Sequence, residues 1–209
     1  MSGNELKKLR AWMKANSFDE TPVGSIEKLF IGGYMEKARG SYFVEAGAVN
    51  GFHLSQTATL ENVHGWDGLL IEGHAGLFEL LDEGERQVSK RQAVLGPGDL
   101  GIFESKSKGM LGQSQLRDDL INDDCHRIQT RTLEEVLTEA GAPGVIDFLV
   151  LDVEEALPQV WSGLDFHRRH FDFIALEMKE EYPEIMEDLK DRGYRLAGIL
   201  GGEDYIFTK

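Results

Sequence analysis

Tyr42-Phe43-Val44-Glu45-Ala46-Gly47-Ala48-Val49-Asn50-Gly51 is an apolar run that breaks, directly after an acid, into a turn punctuated by glycine. A continuous apolar run of this length reads as a buried strand, and the glycines allow a tight turn with close backbone approach. Gly68-Leu69-Leu70-Ile71-Glu72, Ile146–Leu151 running into Asp152-Val153-Glu154, and Phe171–Leu176 running into Glu177 repeat the pattern. Helical spacing lies between them, over His53–Val63, Ala75–Glu83 and Pro183–Arg192, the last closed by Gly193. Gln92–Leu95 reads as another strand, stopped by Gly96-Pro97-Gly98. Continuous apolar strands alternating with helices predict a mostly parallel sheet with helices on both faces, an α/β doubly wound fold. Tyr194–Leu200 and Asp204–Thr208 lack an intervening helix and are expected to form an antiparallel strand pair at one edge.

Upstream, residues 4–15 show amphipathic helical spacing, and Ser25 is the expected N-cap of a second helix with Ile26, Leu29, Phe30 and Tyr34 on one face. Residues 1–40 are thus expected to be an N-terminal helical cap on a single domain, 41–209. The polar stretch 105–124 is expected to be a lid-like insertion, since loops of ~20 residues in compact domains are usually functional or disordered.

The net charge of −15 speaks against nucleic acid and anionic membranes as partners. The one cysteine, Cys125, excludes an intrachain disulfide and a thiolate zinc site, and it reads as an inert small residue. No apolar run approaches the ~18 residues of a membrane span, so a cytoplasmic protein is expected.

An open parallel sheet binds ligands beyond the carboxyl ends of its strands. Here those ends carry Glu45-x-Gly47-x-x-x-Gly51, Glu72, Asp152 with Glu154, and Glu177. Glu72 follows Gly51 by 21 residues, close to the ~20 at which an acid grips ribose hydroxyls. The loop lacks G-x-G-x-x-G, and the anion at its head would repel a pyrophosphate. S-adenosylmethionine has a ribose, an adenine, a sulfonium and an ammonium but no phosphate. It suits an acid-lined crevice better than a nicotinamide dinucleotide does.

Tyr42–Gly51 followed by Leu54-Ser55-Gln56-Thr57 resembles the first motif of FkbM-type methyltransferases. Gly65–Glu72 resembles their second-strand motif, and Ile146–Glu154 their fourth-strand motif. The resemblance covers roughly residues 25–209. It implies a class I methyltransferase fold of seven strands with the last antiparallel, and S-adenosylmethionine-dependent methyl transfer, usually to oxygen. It further implies that Glu45, Gly47, Asn50 and Gly51 hold the amino acid end of the cofactor and Glu72 the ribose. His74 and Val94 would lie near the adenine, Asp152 and Val153 would flank the methionine portion, and Ala48, Ser55 and Gly73 complete the expected cofactor set. The chain departs from the family at Glu155, usually glycine, at Leu157, usually an acid, and at Gly73, commonly proline.

An alcohol is a poor nucleophile, so a general base or a metal should take its proton. Glu154, Glu177 and His53 are the expected catalytic residues, and Asp152, Glu154 and Glu177 form a candidate Mg²⁺ set. His167-Arg168-Arg169-His170 reads as a solvated connection. Lys106, Lys108 and Arg117 are cations of the lid. The expected function is O-methylation of a small hydroxylated acceptor such as a sugar or natural product. Two alternatives stand beside it. One is a non-catalytic S-adenosylmethionine-binding or interaction module, supported by Glu155 and Leu157. The other is a nicotinamide-dependent oxidoreductase, which the Glu45 loop opposes.

Overall fold

The computed structural model describes residues 24–38, 40–104, 115–117, 125–179 and 181–209. Its helices are α1 (Ser25–Gly33), α2 (Ala58–Asn62), α3 (Ala75–Asp82), α4 (Leu133–Glu139), α5 (Leu157–Ser162) and α6 (Pro183–Asp191). Its strands are β1 (Tyr42–Ala46), β2 (Asp67–Glu72), β3 (Ser89–Gln92), β4 (Leu100–Glu104), β5 (Gln115–Arg117), β6 (Cys125–Gln129), β7 (Val145–Leu151), β8 (His170–Glu177), β9 (Arg195–Leu200) and β10 (Asp204–Thr208).

The apolar runs build one seven-stranded sheet in the order β3-β2-β1-β7-β8-β10-β9. β1 pairs in parallel with both β2 and β7, and the strand order reverses at β1. β10 runs antiparallel to β8 and β9, so the final strand inserts inward and β9 is the edge. Successive residues of a strand point to opposite faces. Val44, Leu149 and Ile174 join a core with Leu133, Leu157 and Leu189 of α4, α5 and α6. Phe43, Phe148 and Phe173 join a core with Phe30, Leu60 and Leu81 of α1, α2 and α3. The sheet is therefore covered on both faces, as continuous apolar strands require.

Phe30 stacks on Phe148 with centroids 4.5 Å apart and meets Trp66 edge-on at 5.5 Å. α1 is thus part of this core. Its turn outward differs slightly from the expected face, since Leu29 is exposed. Ser25 is the first helical residue. The cap comes from the Gln56 side chain, whose Oε1 accepts the N–H groups of Ile26 (3.1 Å) and Glu27 (3.3 Å). Asp147, wholly buried in β7, accepts the N–H groups of Gly40 (2.8 Å) and Tyr42 (3.1 Å) and sets the start of β1.

Two expected elements shift. The third strand spans Ser89–Gln92 instead of Gln92–Leu95, because the polar residues take the sheet edge while Ala93, Val94 and Leu95 are buried just beyond it. The helix expected over His53–Val63 is reduced to Ala58–Asn62. In the expected lid, β5 pairs with β4, which pairs with β6, as a small antiparallel sheet. The rest of 105–124, with Lys106 and Lys108, and the helix expected over 4–15 lie outside the described residues. Among the described residues, no helix is long and apolar enough to cross a membrane.

Candidate active site

The parallel strands bring Ala46, Glu72, Leu151 and Glu177 to one edge of the sheet. Gly47 joins three of these ends. Its N–H donates to the Ile71 carbonyl (3.0 Å), as does that of Ala48 (3.1 Å). Gly47 has φ +88°, and a Cβ there would lie 2.0 Å from the Asp152 carbonyl oxygen. Gly51 has φ +83°, and a Cβ there would press on Leu81 and Arg86. Between them Val49 adopts φ +52°, a costly position for a β-branched residue. The Glu72 carboxylate helps to hold it there by accepting the Val49 N–H at 2.8 Å.

Glu45 is buried under this loop. Its carboxylate accepts from the Ser55 hydroxyl (2.9 Å), the Gln56 N–H (2.8 Å) and the Thr57 hydroxyl. Asn50 Oδ1 accepts the N–H groups of Phe52 (3.0 Å) and His53 (2.7 Å) and folds the chain into a turn. These two side chains give residues 50–57 a conformation other than the expected helix and put His53 in the loop. Arg86 locks the underside. It is 1% exposed, pairs with Glu61, and donates to the Gly51 carbonyl (2.6 Å), the Ser55 hydroxyl (3.1 Å) and the Thr57 hydroxyl (2.9 Å).

At the end of β2, the second Glu72 oxygen accepts the His74 N–H at 2.7 Å. Each oxygen so engaged retains a lone pair, the number needed for a vicinal diol. His74 is buried and caps α3 through Nδ1, which accepts the Leu77 N–H (3.2 Å). Gly73 lies against Val94, whose Cγ2 would be 3.3 Å from an added Cβ.

Beyond β7 and β8, Asp152, Glu154 and Glu177 present carboxylate oxygens that lie within 4.8 Å of one another. Val153 packs on the core. Glu154 is buried at φ +55° and forms an ion pair with Lys179. One oxygen of Glu177 is buried without a hydrogen-bond partner. Asp204 faces Glu177 across the β8–β10 ladder. The expected substitutions fall on either side. Glu155 is exposed, and Leu157 is fully buried in the core. The backbone of β5 lies against the 154–156 turn, which puts Gln115–Arg117 beside these acids.

Sequence reasoning passed over Lys179, Asp204 and Arg86. Lys179 follows Glu177 by two residues, so reading past the strand end would have found it. Arg86 sits in the polar run Asp82-Glu83-Gly84-Glu85-Arg86-Gln87, which carries no sign of burial.

Enclosure raises the acids of this edge. Burial pushes Glu72 up to about 7. Burial, then Glu177 and Glu203, pushes Asp204 up to about 6. Asp152 touches solvent along one side, yet protein surrounds the rest. That enclosure, then the adjoining Glu177, holds it well above the ordinary carboxyl range. Glu154 is raised by burial, with Lys179 pulling the other way. A carboxyl raised in the folded chain binds its proton more tightly there than when unfolded. Its stabilisation is present below the unfolded value and is lost as pH climbs through the folded one. For Glu72, moving from 4.5 to about 7, this amounts to about 3 kcal/mol. The melting temperature is therefore expected to fall between about pH 5 and about pH 8. The fall should be smaller in a Glu72→Gln, Asp204→Asn variant, and a flat or rising wild-type profile would contradict the assignment.

A doubly wound sheet whose strands run 3-2-1-4-5-7-6 within the sheet, with the last antiparallel and acids at the carboxyl edge, defines a class I methyltransferase fold. The family model described as Methyltransferase FkbM domain matches residues 45–196, and the chain belongs to that family. Among solved structures it is similar to a SAM-dependent methyltransferase from Aquifex aeolicus, with 13% identity, a TM-score of 0.45, and coverage of 100% of this chain and 98% of that one. It is also similar to a TehB-like SAM-dependent methyltransferase from Corynebacterium glutamicum, with 13% identity, a TM-score of 0.49 and full coverage of both chains. No curated protein matches the chain.

Proposed function

We propose that the protein transfers a methyl group from S-adenosylmethionine to an oxygen of a small hydroxylated acceptor. The observation that carries this reading is Glu72. Two backbone N–H groups hold its buried carboxylate at the end of β2, with capacity left for a ribose diol. The donor set fits the cofactor, because carboxylates suit hydroxyl, ammonium and sulfonium groups and repel phosphate. Gly47 supports the fit by letting the loop after β1 close onto Asp152, whose carbonyl oxygen a Cβ would approach to 2.0 Å.

S-adenosylmethionine, when bound, supplies an electrophilic methyl group. The rest falls to the chain. Glu72 orients the ribose. Glu45, through Ser55 and Thr57, shapes the loop that receives the amino acid end. Asp152 and Glu177 lie side by side, and Glu177, one of whose oxygens has no hydrogen-bond partner, is the group assigned to take the proton from the acceptor hydroxyl. Asp152, Glu154 and Glu177 suit Mg²⁺ poorly, because the Lys179 ammonium already supplies a cation to Glu154.

Calorimetry with S-adenosylmethionine and S-adenosylhomocysteine should show binding that collapses in Glu72→Ala. An acceptor screen should then give turnover unaffected by EDTA. Glu177→Gln should keep cofactor affinity and lose about 10²–10⁴ in turnover, the range for a general base. Absence of cofactor binding would overturn the proposal. Binding without turnover on any hydroxylated acceptor would favour the non-catalytic alternative.

A further inference from the structure

At the opposite edge of the sheet, where β7 and β8 begin, a cavity of about 630 Å³ opens between Val145, the 166–170 turn, the end of α6 and Lys209. Four of its ten lining residues are Arg168, Arg169, Arg192 and Lys209, and two more are His167 and His170. Lys and Arg together make up 22 of the 209 residues, in a chain of charge −15. A lining with four cationic side chains and no acidic side chain runs against that composition.

The surroundings order this lining. Arg169 is buried, paired with Glu134, and donates to the Ala142 (2.6 Å) and Pro143 (3.2 Å) carbonyls, which fastens the 166–170 turn to the chain before β7. Arg192 is held by Asp188 at 2.9 Å and lies 4.1 Å from the Phe166 ring centroid. His170 Nε2 meets Asp172 at 2.8 Å, which leaves Nδ1 facing Lys209 Nζ at 3.4 Å. Of the neighbouring carboxylates, Glu134, Asp172 and Asp188 are thus each turned to a basic partner, and Asp165 accepts the His167 N–H at 2.9 Å. Arg168 differs. Its side chain is 59% exposed, and its contact with Glu134 is long, at 3.7 Å. Arg168 and Lys209 keep charge that these acids do not neutralise at hydrogen-bond distance.

We propose that this cavity binds a small phosphate-bearing molecule, at a site separate from the crevice at the carboxyl ends of the strands. Guanidinium groups bind phosphate oxygens in a fixed fork, and a lysine adds a mobile point charge. The volume lies within the range of small-molecule sites. The inference rests on no assumption about methyl transfer.

Inorganic pyrophosphate is the probe, titrated calorimetrically at constant ionic strength into wild type and into an Arg168→Gln, Lys209→Gln variant. Both positions are on the surface, so the variant should keep the wild-type melting temperature. Saturable binding that weakens at least tenfold in the variant is expected. An Arg169→Gln change is avoided because it would unpair Glu134. Lack of saturable binding by wild type, or equal affinity in the variant, would overturn the proposal. So would an affinity matched by chloride at the same ionic strength, since that marks diffuse attraction.

Discussion

Arg86→Met is expected to cost about 3–5 kcal/mol of stability, the range for removing one partner of a buried ion pair. Domains of this kind are stable by only about 5–15 kcal/mol. The variant should therefore be largely unfolded, or unfold at far lower urea than wild type. The cause is local. Arg86 satisfies Glu61, the Gly51 carbonyl and two hydroxyls that also serve Glu45, and its guanidinium lies 5.7 Å from the Phe43 ring centroid. Methionine fills part of the volume and takes the Arg86 donor away from one Glu61 oxygen, the Gly51 carbonyl and the two hydroxyls, while Gln87 and Val88 still donate to the other Glu61 oxygen. Replacing the partner as well, as Arg86→Met with Glu61→Leu, should recover part of the loss, because a neutral pair no longer buries a lone charge. A urea midpoint for the single variant within error of wild type would sink this account.

Gly47→Ala should have the second largest effect. The methyl group would stand 2.0 Å from the Asp152 carbonyl oxygen, so the ends of β1 and β7 must part. A side chain at φ +88° adds its own strain. Together these should cost about 2–5 kcal/mol. Cofactor affinity should fall even at temperatures where the variant stays folded, since the same shift moves the loop away from Glu72. Calorimetry below the midpoint of unfolding separates the two losses. Unchanged affinity in a folded Gly47→Ala would show that the loop does not form the crevice.

Much of this architecture was legible in the sequence. Tyr42–Ala46, Val145–Leu151 and His170–Glu177 are apolar enough to announce buried strands, and each ends within two residues of an acid. The acids at the strand ends were therefore readable as a group. What each acid does was not. Glu45 looks like a ligand-facing residue at the head of a glycine loop, yet its oxygens are occupied by Ser55, Gln56 and Thr57. Periodicity suggested a helix from His53, because apolar spacing does not register the hold of Glu45 and Asn50 on that stretch. The third strand reads as Gln92–Leu95 and not as Ser89–Gln92 because apolar residues mark strands, whereas an edge strand can be polar, as Ser89-Lys90-Arg91-Gln92 is. Arg86 and Lys179 act through partners 25 residues away in the chain, Glu61 and Glu154, and no local pattern marks such pairs.

The reversal of strand order at β1 also sets a timetable for assembly. Phe43 lies beside Phe148, and Phe30 stacks on the same ring, so both must wait for chain made about a hundred residues later. On the ribosome, β1 and β2 can pair early, but one flank of β1 and the apolar face of α1 stay uncovered until β7 emerges. Such long-range closure is slow, and the waiting intermediate exposes Phe43, Leu70 and Phe30 together. A nascent chain stalled before Val145 is thus an adhesive species that a holding chaperone would engage, whereas release after β8 lets the sheet close around its own centre.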